Sequence, residues 1–212
     1  MAKHLLKALG SVRLQILMAA LAAPIHAAEL VPPFDRQVAE KVAQLSAPQE
    51  HFRARAAEAL GFMRAYADAD SLVEALGDNP VRVRREAVMA LAWCGSRQHL
   101  PALVQALGDR DWTVSQAASV ALANLTGMEF PFDALAGEAV RDSQVKRWRE
   151  WCAALRDGVV PREVLSLIQS QDKEAQLRGV RALGSLGGAG ASENIIKRIA
   201  PFRSLDYRKV QT

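Results

Sequence analysis

The chain has 212 residues, half of them apolar but only 6% aromatic, with 27 basic and 23 acidic side chains and two cysteines. Alanine and leucine carry the apolar content, which suits closely packed helices and argues against a sheet built on Val, Ile, Thr and aromatics. A net charge of +4 would attract phosphate backbones only if its basic residues belonged to the folded part, and three of them do not.

Those three, Lys3, Lys7 and Arg13, lie within residues 1–27, where no acidic residue occurs. A basic start, an apolar run over 14–23 broken only by Gln15, and small residues in "PIHAA" read as a signal peptide over 1–27, cleaved near Ala27. The alternative, an amphipathic helix of the fold, is disfavoured because Lys7 and Arg13 do not sort to one helical face. The run is shorter than the roughly 20 residues that span a bilayer, so the mature chain is expected to carry no integral membrane span. Removal of 1–27 leaves 24 basic against 23 acidic residues, a net +1, and no nucleic-acid partner is expected. The expected location is the periplasm or the exterior of a bacterial cell, where Cys94 and Cys152 would be free to pair.

From residue 35 the sequence repeats itself. "LVEALGDNPVRVRREAVMALA" at 72–92 returns at 103–123 as "LVQALGDRDWTVSQAASVALA", an offset of 31. Apolar columns run through Val42, Val73 and Val104, through Leu45, Leu76 and Leu107, and through Phe52, Val83 and Val114. Small residues recur at Ala56, Ala87 and Ala118, with Leu60, Leu91 and Leu122 beside Ala59, Ala90 and Ala121. A fourth unit follows an insertion of about 30 residues, with Leu165, Ile168, Gly179, Ala182 and Leu183 on the same columns. The units fall at about 35–65, 66–96, 97–127 and 158–188, and a fifth at 189–212 is unfinished. It opens at Ile195, Ile196 and Ile199, so either further C-terminal repeats or self-association is expected to cover that end.

Inside each unit the spacing predicts two helices joined by a turn. Val83, Ala87, Ala90, Leu91 and Cys94 form one helical stripe, while "GDNP" and "GDRD" supply turn residues, with Asp78 placed to cap or brace. A single hairpin cannot bury its apolar face, so successive hairpins must stack into an all-α solenoid. In the insertion, Val145, Trp148, Cys152 and Leu155 share one face, with Trp151 at its edge, and predict an extra helix over about 137–157.

The pattern "L…AL.D…VR..AV.AL" resembles HEAT repeats of the short, phycobilisome-lyase-like type, over roughly 35–188 apart from the insertion. The resemblance implies a right-handed α-α superhelix whose second helices line a concave surface. Ser115 and Gln176 stand where the pattern has Arg, as at Arg84, and weaken an inferred ladder of Asp and Arg along the turns. The insertion, with "LTG", Phe130, Phe132, Asp133 and two tryptophans, is similar to segments of exported bacterial HEAT-repeat proteins and is given a structural role.

Enzymes with this repeat type supply tests. Deoxyhypusine hydroxylases resemble HEAT arrays and hold two irons through His-Glu dipeptides; this sequence has none, and His51 and His99 stand without carboxylates at ligand spacing. No Cys-x-x-Cys-His haem attachment occurs, and no cofactor is expected. Bilin lyases and chaperones share the repeat type and give the alternative function, against which the export signal argues. The basic helix start at Arg82, Arg84 and Arg85 has only a weak counterpart at Arg53 and Arg55, which reads as a solvated face and not as a DNA groove. Cys94 is read as a buried small hydrophobe, with a disulfide to Cys152 as the alternative. "GSLGGAGAS" at 184–192 lacks the trailing Gly-Lys of a phosphate loop and reads as a helix stop.

No catalytic set survives, so the expected function is a non-catalytic exported scaffold holding a protein partner on its concave helical surface. The candidate contacts are Arg55, Arg85, Glu86, Met89, Trp93 and Arg181. Trp93 and Phe62 share a column that serves either as contact patch or as packing between repeats, and Met89 is placed on the more exposed side of its helix.

Overall fold

The computed structural model describes residues 33–156 and 159–186, which form helices and turns with no strand among them. The expected signal peptide and the unfinished fifth unit lie outside the described residues. The chain divides into two compact units, Met1–Gln37 and Val38–Thr212, and the helices from Glu50 onward belong to the second.

In chain order the helices are α1 (Pro33–Gln44), α2 (Glu50–Phe62), α3 (Asp70–Ala75), α4 (Val81–Cys94), α5 (Leu100–Ala106), α6 (Trp112–Thr126), α7 (Glu138–Ala154), α8 (Arg162–Gln169) and α9 (Lys173–Leu186). The second helix of each unit packs on the next, α2 on α4, α4 on α6 and α6 on α9, so the second helices form one continuous layer. The first helices α3, α5 and α8 lie against α4, α6 and α9 respectively. The two shortest, α3 and α5, follow 3-10 turns at Tyr66–Asp68 and Arg97–His99, which the apolar spacing does not predict. No helix of the described residues is long and apolar enough to cross a membrane.

Stacking at this distance depends on small side chains. Ala56, Ala87 and Ala118 are completely buried, and Gly179 occupies the same depth in the fourth unit. Leu60, Leu91 and Leu122 beside them are equally inaccessible, and Leu183 nearly so. The closest approach is at Gly61, where a Cβ would sit 2.8 Å from Ala90 Cα, so only glycine fits there without moving α2 from α4. The Phe52 column departs from expectation: Val83 and Val114 are fully buried, whereas Phe52 is 44% exposed and rests against His51. Val83 and Val114 sit on helices that follow another second helix, and α2 follows none among the described residues.

The turns are tied by two rungs. Arg53 donates through Nε and Nη2 to the Asp78 carboxylate at 2.6 and 2.9 Å, and Arg84 does the same to Asp109 at 2.7 and 2.9 Å. Each arginine also turns Nη1 back to two backbone carbonyls: Ala47 and Pro48 for Arg53, Asp78 and Asn79 for Arg84. Arg84 is thus a buried cation with four of its five N–H donors satisfied, and hydrogen bonding to Asp109 raises its already high pKa further. Gln176, in the same column, keeps half of this arrangement: its Nε2 donates to Ser170 O at 2.7 Å, six residues back as in the other units. Ser115 bonds only to the carbonyls of Asp111 and Trp112, on its own helix start.

The insertion folds as expected, with α7 packed on α5. Trp148 is fully buried and Val145 nearly so, with Cys152, Trp151 and Leu155 half-buried at the edge. Phe130 meets Trp148 edge-on at 4.7 Å between centroids and takes the Arg147 guanidinium on its ring at 4.6 Å, fastening the loop to the helix. Gly127, left-handed at φ 71°, ends α6 and starts that loop.

Removing one partner of the more buried rung is expected to cost more than removing one partner of the other. Asp109→Ala should destabilise by about 2 kcal/mol and lower the thermal midpoint by roughly 4–8 °C, because Arg84 stays buried without its carboxylate. Asp78→Ala should have a smaller effect, since Arg53 and Asp78 reach solvent more freely; urea and thermal melts of both variants check the order. A second expectation concerns acid. Asp111 caps α6, and bonds from the Thr113 hydroxyl and amide hold its carboxyl below the usual range. Its contribution is therefore present above the unfolded carboxylate pKa and lost as pH falls through the lower folded value. The midpoint difference between the native protein and Asp111→Asn should stay constant near neutrality and shrink below about pH 4.

Candidate partner-binding groove

Along the outward stripe of the second-helix layer, equivalent positions are 31 residues apart, so Arg55, Glu58 and Phe62 on α2 correspond to Glu86, Met89 and Trp93 on α4. Between these two stripes, where Gly61 meets Ala90, runs a groove of about 130 Å³. Glu58 and Phe62 wall it on one side, Glu86, Met89 and Trp93 on the other. Phe62 is 79% exposed and Trp93 45%, the same place in consecutive units. Phe62 therefore projects from the layer, while the Trp93 ring is partly covered by the preceding unit and keeps an exposed part. Met89 is half-buried: it packs on the core and contributes to the groove wall.

Above the groove stands Arg64, whose guanidinium lies 5.4 Å from the Trp93 ring centroid, with a long bond to the Tyr66 hydroxyl at 3.4 Å. Among the described residues Arg64 is the non-glycine residue with positive φ, 52°, and it ends α2: Ala65 N–H reaches Leu60 O at 3.1 Å and Arg64 N–H reaches Gly61 O at 3.1 Å, the paired bonds of a left-handed helix stop. A position that usually takes glycine carries a cation here, at a strain of about 1 kcal/mol.

The structure brings three of the six sequence candidates, Glu86, Met89 and Trp93, to this groove. Arg85 is exposed and pairs with Glu86 at 2.9 Å. Arg55 is exposed one turn above Glu58, and Arg181 is exposed on α9, two units away in the layer. Glu58 and Gly61 were missed as contacts; subtracting 31 from Met89 or from Ala92 would have pointed to them.

Two other places invite chemistry. Ser96, His99 and Asp70 lie at hydrogen-bond spacing, with Ser96 Oγ 3.2 Å from His99 Nδ1 and His99 Nε2 2.9 Å from Asp70 Oδ1. Their chemistry is that of a cap. The Ser96 backbone N–H donates to Nδ1 at 2.8 Å, so Nδ1 is the acceptor, Nε2 carries the hydrogen, and the imidazole has no free lone pair for the hydroxyl proton. His99 is only 2% exposed, and its bond to Asp70 ties the third unit to the second at the first-helix side. The second place is a cavity of about 570 Å³ between α5 and α7, with Val104, Val145 and Cys152 in its wall. Burial pushes the Cys152 thiol up to about 11, so it stays protonated near neutrality and is a poor nucleophile. Cys94 is likewise pushed up to about 11 and donates to Ala90 O, a buried small hydrophobe as expected; both cysteines are free thiols. Among the described residues no three His, Cys, Asp or Glu side chains gather where they could hold a metal ion.

No curated protein matches the chain. Two engineered proteins of known structure are similar to it: one at 20% identity and a TM-score of 0.38, over 82% of this chain and 75% of that one, the other at 19% and 0.37, over 82% and 93%. Residues 69–156, which hold the α3/α4 and α5/α6 hairpins and the insertion, match the family model described as HEAT repeats.

Proposed function

We propose that the protein is a non-catalytic, exported scaffold that holds a protein partner against its second-helix layer, with the α2/α4 groove as the central contact. One observation carries the reading: Phe62 and Trp93, equivalent residues of adjacent units, stay exposed on a layer whose alanine column (Ala56, Ala87, Ala118) and leucine column (Leu60, Leu91, Leu122) are fully buried. Large aromatics concentrate at the centres of interfaces, where they bury much area at small entropic cost. A stacked layer adds rigidity, so a partner binds without ordering loops. Export rests on the signal-like sequence of 1–27. A bilin-lyase-like activity has no observation of its own in favour; iron or pigment in the purified protein, by metal analysis and absorbance, would overturn the non-catalytic reading.

The test of the contact is capture from the native cell envelope with the full chain and with a Phe62→Ser/Trp93→Ser variant. Surface changes of this kind should move the melting midpoint by little, while partner recovery should fall at least about tenfold. Equal recovery by both proteins sinks the groove as the contact. For export, the intact mass of the mature protein from the envelope fraction should correspond to a chain beginning at Ala28; a full-length mass and a cytoplasmic location would sink that part.

A further inference from the structure

The groove's size and charge narrow what enters it. At about 130 Å³ it lies below the roughly 300–1,000 Å³ of small-molecule sites and close to the ~150 Å³ of a core cavity that holds one benzene, so it takes one side chain. Its walls are two carboxylates, one from each helix, around an apolar lining of Phe62, Met89, Ala90 and Trp93, with no basic residue in the lining. Glu86 shares its charge with Arg85, whereas Glu58 has no ion-pair partner among the described residues. An apolar side chain entering here would strip water from the Glu58 carboxylate without replacing it, and an acidic one would be repelled. A long side chain with an apolar stem and a cationic tip meets both the lining and the walls. The Trp93 ring carries the Arg64 guanidinium of this chain, so an incoming guanidinium stacks on it by displacing Arg64 or on its other face. A planar guanidinium can stack on the ring and fork to a carboxylate, which an ammonium cannot do.

We propose that the α2/α4 groove is an anchor site for one arginine side chain of the partner protein, held between Glu58 and Glu86 and against Trp93. The inference rests on the reading of this groove as the partner contact and adds the partner's chemistry to it.

The test uses the full mature chain and fluorescein-labelled, end-blocked heptapeptides, Ala-Ala-Leu-X-Leu-Ala-Ala, with X arginine, lysine or citrulline, the neutral isostere of arginine. Fluorescence anisotropy should show the arginine peptide binding about tenfold tighter than the citrulline peptide, with lysine between, and the advantage shrinking in high salt. Glu58→Gln, an exposed change away from the core, should reduce the arginine advantage to about twofold or less while the melting midpoint holds. Equal binding of arginine and citrulline peptides, no binding of the arginine peptide, or an advantage unchanged in Glu58→Gln would each overturn the proposal. The groove reading fails separately: it falls when partner capture ignores Phe62→Ser/Trp93→Ser, and it stands when capture depends on those rings but not on Glu58.

Discussion

Each second helix in this array is the wall of its neighbour's core, and the distance between them is set by the smallest residues in the sequence. With Ala87 and Ala118 fully buried and Gly61 pressed on Ala90, the helices approach until backbone limits them. Leucines at 60, 91 and 122 then fill the remaining space from the same helical face. Enlarging the small column would separate helices along their whole length, because a rigid helix transmits a displacement at one contact to the next. The layer is consequently stiff, and its outward stripe is a surface of fixed geometry.

The rungs of arginine and aspartate follow from the same stacking, and so does the place where they stop. Arg53 reaches Asp78 and Arg84 reaches Asp109, each from one unit to the turn of the next. The corresponding third rung would join residue 115 to residue 170, across the insertion, and both ends are serine. A buried arginine without its carboxylate is costly, as is the reverse, so the two losses compensate each other. Gln176 retains the bond to the carbonyl six residues back without needing a partner in another unit. Elsewhere at this junction Arg178 of α9 pairs with Glu129 in the loop after α6, a tie made outside the repeat register. The rungs are thus interrupted where the helix is inserted, and other contacts tie the fourth unit there.

Much of this was legible because a period of 31 converts one helix's burial into a statement about the others. The columns of Ala56, Ala87, Ala118 and Gly179 predicted a common depth, and they share it; the buried face of α7 was readable from Val145 and Trp148 alone. The period failed where neighbours differ. Phe52 lies on the second helix that begins the described layer, so its column-mates' burial did not transfer. Met89, by contrast, is the partly exposed member of a run whose neighbours Ala87, Val88 and Ala90 are buried, which agrees with its expected place on the more exposed side of α4. Whether Phe62 and Trp93 pack or project depends on how closely the helices approach at Gly61, a three-dimensional quantity that no spacing reports. The 3-10 turns that precede α3 and α5 were likewise invisible, since apolar columns mark positions and not where a helix starts.

Fold and recognition occupy different positions of the same repeat, and this separation is what lets the chain change one without the other. Buried positions vary little from unit to unit: alanine or glycine in the small column, leucine beside it. Outward positions vary freely, from Glu58 and Phe62 through Met89 and Trp93 to Val120 and Asn124, then Arg181 and Ser185 on α9. Surface substitutions of this kind change stability by a few tenths of a kcal/mol, while a change in a buried column costs several times more. Only the outward positions are free to differ, so the chemical identity of the surface resides in them. Aromatic character gathers at α2 and α4, where Phe62 and Trp93 project beside both carboxylates and guanidinium groups, and α9 carries Arg181 in the column of Glu58 and Met89. The layer thus presents surfaces whose spacing is fixed by alanine and glycine, and whose chemistry is written at the places those residues leave exposed.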